Sequence, residues 1–184
     1  AWLEGLGYAA TEWGASLLRP HLDDIPDRPL PDGVEVRPVT PDQVRHIWEV
    51  HHEAFRDDWD FHEMTDDEID EMIADPVQDP SLWQVAWAGD EVVGQVKPFI
   101  NHEENAQRGY LRGYTEFIST HRDWRNRGIA TALLARSLHV LRERGMTEAM
   151  LGVDTNNPGG AFQVYTRLGF ELQSYHAVYT KPIT

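Results

Sequence analysis

The sequence predicts an α/β fold, one central sheet with helices packed against it. Three observations predict it. Runs of apolar residues with period two alternate with runs of period 3.6 along residues 31–184. Two strand-like runs around Trp83, Val85 and Trp87 and over residues 92–100 are joined by the turn pair Gly89-Asp90, which reads as a hairpin. A third such run, residues 114–120, leads through a short basic loop straight into a long amphipathic stretch.

Taken in order, Val34-Glu35-Val36-Arg37 is a short strand, and Thr40-Pro41-Asp42-Gln43 is a capping box opening a helix through about residue 55. Thr65-Asp66-Asp67-Glu68 opens a second helix with Ile69, Met72 and Ile73 turned inward. The hairpin follows, and residues 101–108 read as a polar loop. Residues 114–120, rich in aromatic and β-branched side chains, form the central strand. The helix after Gly128 carries Ala130, Leu133, Leu134, Ser137, Leu138 and Leu141 on one stripe, and Gly145 stops it after Arg142 and Arg144. Residues 148–154 make a buried strand. Asn157 then caps a short helix with Pro158 at its first position, closing before Gly169.

The junction Arg125-Asn126-Arg127-Gly128-Ile129-Ala130 is suited to an anion. Gly128 and Ala130 let the backbone curl, so that the first amides of the helix face a ligand where the macrodipole also favours negative charge, with Arg122, Arg125 and Arg127 adding formal charge. The plainer alternative is a solvated arginine-rich loop in front of an ordinary helix. Neither GxGxxG nor GxxxxGK[ST] occurs, which argues against a dinucleotide fold and a P-loop.

The whole segment resembles the GNAT superfamily of N-acetyltransferases, whose signature R/Q-x-x-G-x-G/A follows a central strand; Arg125, Gly128 and Ala130 fill its fixed places. A second block supports the resemblance, since Asn157, Ala161, Tyr165, Gly169 and Phe170 match the family's Asn, Ala and Tyr-x-x-x-Gly-Phe in order. The resemblance covers about residues 31–184 and implies a central mixed, mostly antiparallel sheet flanked by helices. It implies acetyl-CoA as co-substrate, with its pyrophosphate over Arg125, Asn126, Arg127, Gly128, Ile129, Ala130 and Thr131. Backbone amides of Ile118, Ser119 and Thr120 would serve the acetyl carbonyl and pantetheine arm, and Asn157 would contact the cofactor. Tyr165 is then the acid that protonates the departing thiolate, although a helix aromatic packing beneath Gly169-Phe170 is its structural alternative. Glu116, nine residues before Arg125, is the candidate base, or else a strand residue that orients substrate. The implied activity is transfer to a primary amine by direct attack in a ternary complex, with a small-molecule or peptide acceptor and no metal. The rival is a non-catalytic acyl-CoA-binding sensor or scaffold domain of a tandem protein.

Composition narrows the classes. The chain has 184 residues, enough for one good core, and no cysteine, which excludes disulfides, cysteine-ligated metal and a thiol nucleophile. Its nine histidines include His51-His52 but no HExxH, and read as surface or core residues rather than ligands. Residues 1–120 hold 8 basic against 26 acidic side chains, residues 121–184 hold 8 against 5, so the half with the anion motif is the basic half. A net charge of −15 argues against nucleic acid as partner. No apolar run approaches a membrane span and no signal peptide is visible, so no membrane partner and a cytoplasmic location are expected. The cluster Asp57, Asp58, Asp60, Glu63, Asp66, Asp67 and Glu68 reads as a solvated face, or as an attractor for a cationic substrate.

Residues 1–30 need their own account. Residues 6–20, LGYAATEWGASLLRP, lie without gaps on residues 168–182, LGFELQSYHAVYTKP, with Leu, Gly, Ala and Pro identical where chance gives about one identity. The expectation is that residues 1–22 are the terminal helix and strand of a preceding GNAT-like domain, 23–32 a proline-bearing linker, and 33–184 the acetyltransferase domain, the chain being a piece of a tandem protein. Leu3 holds the place of Tyr165 in this echo. The segment is expected to add to an exposed sheet edge, in its own chain or in a neighbouring copy, the latter giving a homodimer.

Overall fold

The computed structural model describes residues 2–56, 61–154 and 161–182. Asn157 and Pro158, and with them the expected cap of the last helix, lie outside the described residues, as do Asp57, Asp58 and Asp60. Seven strands form one sheet: β1 (Ala9–Arg19), β2 (Glu35–Val36), β3 (Gln84–Ala88), β4 (Glu91–Phe99), β5 (Arg112–Thr120), β6 (Glu148–Asp154) and β7 (Glu171–Thr180). Their spatial order is β2-β3-β4-β5-β6-β1-β7, antiparallel throughout except for the parallel pair β5–β6. The mixed, mostly antiparallel sheet is the one the resemblance implies.

Helices cover both faces. α2 (Val44–Glu53) follows a single 3₁₀ turn at Pro41–Gln43, and α3 (Asp66–Ala74) begins at Thr65, whose hydroxyl accepts from Glu68 N–H while the Glu68 carboxylate accepts from Thr65 N–H at 2.7 Å. Together they bury Ile47, Trp48 and Ile69 against Trp83, Val85, Trp87 and Val92 of the hairpin. On the opposite face α5 (Ile129–Glu143) buries Leu133, Leu134, Leu138 and Leu141 completely, and Gly145, at φ 85°, ends it as expected. α5 lies close because two strand positions lack a side chain. A Cβ on Gly94 would sit 2.7 Å from the Ile129 Cγ2, and one on Gly113 would collide with Leu141.

Residues 101–108 are a helix, not the expected loop. α4 (His102–Arg108) is capped by Asn101, whose side chain accepts from Glu104 N–H at 2.9 Å, and closed by Gly109 in the left-handed region. Its one buried residue, Asn105, bonds the carbonyl and amide of Arg112, so it is fastened to β5 by polar contacts that leave no apolar period to read.

The N-terminal segment is also placed differently from expectation. β1 enters the sheet between β6 and β7 of its own chain, so it is an interior strand and not an addition at an edge. The echo recognised in the sequence is a local two-fold in three dimensions. α1 (Trp2–Gly5) and α6 (Ala161–Arg167) both end in a left-handed glycine, Gly7 at φ 84° and Gly169 at φ 82°. Tyr8 N–H donates to the Leu3 carbonyl and Phe170 N–H to the Tyr165 carbonyl, each at 3.1 Å. The β1–β7 ladder sets Gly14 opposite His176, two positions that correspond in the echo, and its two register shifts skip the corresponding residues Thr11 and Gln173. The closing contacts are reciprocal too: Lys181 Nζ donates to the Leu6 carbonyl at 2.7 Å, and the Arg19 guanidinium to the Leu168 carbonyl. One half of this ribbon is covered, with Ala15 and Leu17 at 0 % exposure, whereas Trp13 and Tyr175 stand 48 % and 69 % exposed.

Candidate active site

The site begins where two strands part. β5 and β6 pair only through Arg112–Glu148, Gly113–Ala149 and Tyr114–Met150; beyond Met150, β6 keeps its β1 partner alone. Past that point β5 turns irregular, with Phe117 at φ 52° and a register shift opposite Gln95–Lys97. A cleft of about 520 Å³ opens beside it, lined by Ile118, Ser119 and Thr120 of β5, by residues of the loop into α5, and by Tyr165 of α6.

The loop into α5 is shaped by two left-handed residues. Asn126 and Gly128 both take left-handed conformations, at φ 61° and 83°, which folds the loop back onto the start of α5. Gly128 is the N-cap and brings no side-chain cap, so the amides of Ile129, Ala130 and Thr131 keep their donors for a ligand. A Cβ built on Gly128 would meet no protein atom within 4 Å. That space and those donors fit a pyrophosphate. Arg125, Asn126, Gly128, Ile129, Ala130 and Thr131 all line the cleft. Arg127 lies outside the lining, its guanidinium 4.7 Å over the Trp124 indole, which is itself a cleft residue. The Arg125 guanidinium donates to two main-chain carbonyls, Ala54 at 2.7 Å and Thr120 at 3.3 Å.

Glu116 stands at the gap, outside the residues that line the cleft, and near enough to Tyr165 for its charge to act on the phenol. Glu116 reaches across the gap and accepts from Gly152 N–H at 2.8 Å. Burial pushes its carboxyl up to about 7, against the opposing pull of that hydrogen bond. Burial also pushes the Tyr165 phenol up to about 12, and the nearby Glu116 charge adds to the shift. Tyr165 packs edge-on to Phe170 with ring centres 6.3 Å apart, so its packing role and its place beside the cleft coexist.

Several wall residues escape a linear reading. Ala54 and Phe55 arrive from the end of α2, Trp124 from the loop, and Val164 and Arg167 from α6, where spacing of three from Ala161 was the available signal. His51 of α2 sits among Trp48, Phe55 and Phe117, with Nδ1 3.0 Å from the Ser119 Oγ. Burial first, then the charge of Lys97 and of His52, holds its imidazole well below its ordinary value, so it is neutral at pH 7. Among the described residues no group of histidines and acids has the arrangement of a metal site, and no helix is long and apolar enough to cross a membrane.

Comparisons agree with this geometry. Residues 44–170 match the acetyltransferase (GNAT) family. Mycothiol acetyltransferase of Streptomyces coelicolor is 31% identical over 157 residues, covering 85% of this chain and 48% of that protein. N-alpha-acetyltransferase 30 of Schizosaccharomyces pombe is 35% identical over 91 residues, covering 50% of this chain and 58% of that one. Among solved structures, a GCN5-related N-acetyltransferase from Sphaerobacter thermophilus superposes with a TM-score of 0.74 at 25% identity, over 97% of this chain and 54% of that one. Naa50 of Arabidopsis thaliana, solved with a bisubstrate analogue of CoA and a peptide, shares the fold with a TM-score of 0.57 at 22% identity, over 77% of this chain and 85% of that one. The chain spans about half the length of the mycothiol acetyltransferases it matches. With the splayed strands, the glycine cradle and the family match over most of its length, the chain belongs to the GNAT family of acetyltransferases.

Proposed function

We propose that this domain transfers the acetyl group of acetyl-CoA to a primary amine, by direct attack within a ternary complex. The observation that carries the reading is one cleft lined by both the loop at Gly128 and Tyr165, with Glu116 at the strand gap near enough for its charge to act on the phenol. The residues divide the work. Amides of Ile129 to Thr131 hold the pyrophosphate, and Ile118, Ser119 and Thr120 offer main-chain donors to the pantetheine arm and to the oxygen that becomes negative. Glu116, directly or through a water, takes the proton of the attacking amine. Tyr165 gives its proton to sulfur as the carbon–sulfur bond breaks. Small amines and peptide N-termini both remain within the acceptor class, in keeping with the names of the relatives.

Residues 1–22 fit, in the same reading, as the closing helix and strand of a preceding GNAT-like domain, with 23–32 as linker. The local two-fold relating α1–β1 to α6–β7 supports this, as does the half-length coverage of the relatives. Gly128→Val tests the function. Its side chain would occupy the anion's space and strain a left-handed position. The expected result is at least a tenfold loss of CoA affinity by calorimetry, and unchanged affinity would remove the cofactor assignment.

A further inference from the structure

We propose that Arg125 is a positioning residue for the α2 wall of the cleft: its guanidinium ties the last turn of α2 to the end of β5 instead of clamping the cofactor's anion. The inference rests on the acetyl-CoA reading for its functional meaning and on hydrogen-bond geometry for its mechanics.

Arg125 stands in the first fixed place of the cofactor loop, where its charge invites assignment to the pyrophosphate. The structure sends that charge elsewhere. Nη2 donates to the Ala54 carbonyl at 2.7 Å and Nε to the Thr120 carbonyl at 3.3 Å. Ala54 is the C-cap of α2, so its carbonyl is one of the acceptors a helix end leaves without an internal partner, at the negative pole of the macrodipole. A guanidinium satisfies that end in geometry and in sign. The same turn is held a second time, through His51 Nδ1 and Ser119 Oγ at 3.0 Å. α2 therefore grips the irregular end of β5 at two points, and one of them belongs to the loop that receives the cofactor.

The consequence follows from what lies on either side. Ala54 and Phe55 line the cleft together with Ser119 and Thr120. Turning the guanidinium into the cleft would break both carbonyl bonds and release that wall, whereas the anion already has the amides of Ile129, Ala130 and Thr131. A cofactor that orders this loop would steady the end of α2 through the same guanidinium. The cofactor loop and the α2 wall are thereby coupled through Arg125, beside the His51–Ser119 contact.

Arg125→Ala and Arg125→Lys distinguish the two roles, the second being a milder change should the first disturb folding. A lysine supplies a point charge for a phosphate but cannot span two carbonyls with a planar fork. Calorimetry with CoA should give affinities within threefold of the parent for both variants. Hydrogen exchange at the amides of Ala54, Phe55 and Arg56 should be at least fivefold faster in both, measured without ligand. In the parent, saturating CoA should slow those amides further, and in both variants that slowing should vanish although CoA is bound. A tenfold loss of CoA affinity in Arg125→Ala, restored in Arg125→Lys, with exchange at residues 54–56 within twofold of the parent, would overturn the proposal. If the parent itself fails to bind CoA, the acetyl-CoA reading falls, and the ligand-free exchange rates still decide whether Arg125 holds the helix end.

Discussion

In the proposed reaction Glu116 sets the pH dependence. Its carboxyl titrates near 7 because burial disfavours the charged form, and only the ionised form accepts a proton from the amine. The rate at subsaturating substrate should therefore climb with pH through about 7, and Glu116→Gln should flatten that rise; an unchanged profile would pass the base role to another group. Stability supplies an independent readout. A carboxyl whose folded value lies above its ordinary 4.5 costs more stability as pH rises from about 4.5 to about 7, since the unfolded chain releases that proton first. The melting temperature of Glu116→Gln should rise relative to the parent across that interval and no further above it. The Tyr165 phenol, pushed up to about 12, stays protonated at pH 7 and so holds the proton that the proposed reaction gives to the departing thiolate. Tyr165→Phe should lower turnover by about 10²–10⁴-fold while CoA affinity stays within threefold. Turnover within twofold would leave Tyr165 as a packing residue under Phe170.

Elements were legible where their signals are local. The capping residues of α3, the turn at Gly89-Asp90 and the stop at Gly145 act over three or four residues, so they read directly from the chain. α4 did not, because Asn105 is held by the main chain of Arg112 and no apolar stripe marks it. The loop into α5 and the place of Tyr165 on the last helix were readable from short motifs. The remaining wall of the cleft was not, because Ala54, Trp124 and Arg167 meet only through the packing of α2 and α6 about β5. Nor does a strand's sequence say whether it sits at an edge or inside, since that depends on which neighbours accept its ladder; β1 is the case in point. The approach of α5 offers a test at this scale. Gly113→Ala sets a methyl against Leu141 and should cost about 1–3 kcal/mol in chemical denaturation. Pairing it with Leu141→Val should recover part of that loss, and strict additivity would show that the two sites do not meet.

For the whole molecule the decisive strand is β1, because it joins β6 to β7 and carries Arg19 to the turn that ends α6. Amides over Ala9–Leu18 should exchange orders of magnitude more slowly than those of a free peptide, at rates close to those of β6. Exchange at the free-peptide rate would reduce the segment to a tail and the two-fold to coincidence. The position of β1 also imposes an order on synthesis. Arg19 pairs with Ala149, so about 130 residues leave the ribosome between the two, which at about 5–20 residues per second is roughly 7–26 s. Throughout that interval the ladder between β1 and β6 cannot form. The bond from Arg19 to the Leu168 carbonyl, which fastens the turn after the Tyr165 helix, must wait longer still, so the wall of the cleft that α6 supplies is steadied late in synthesis.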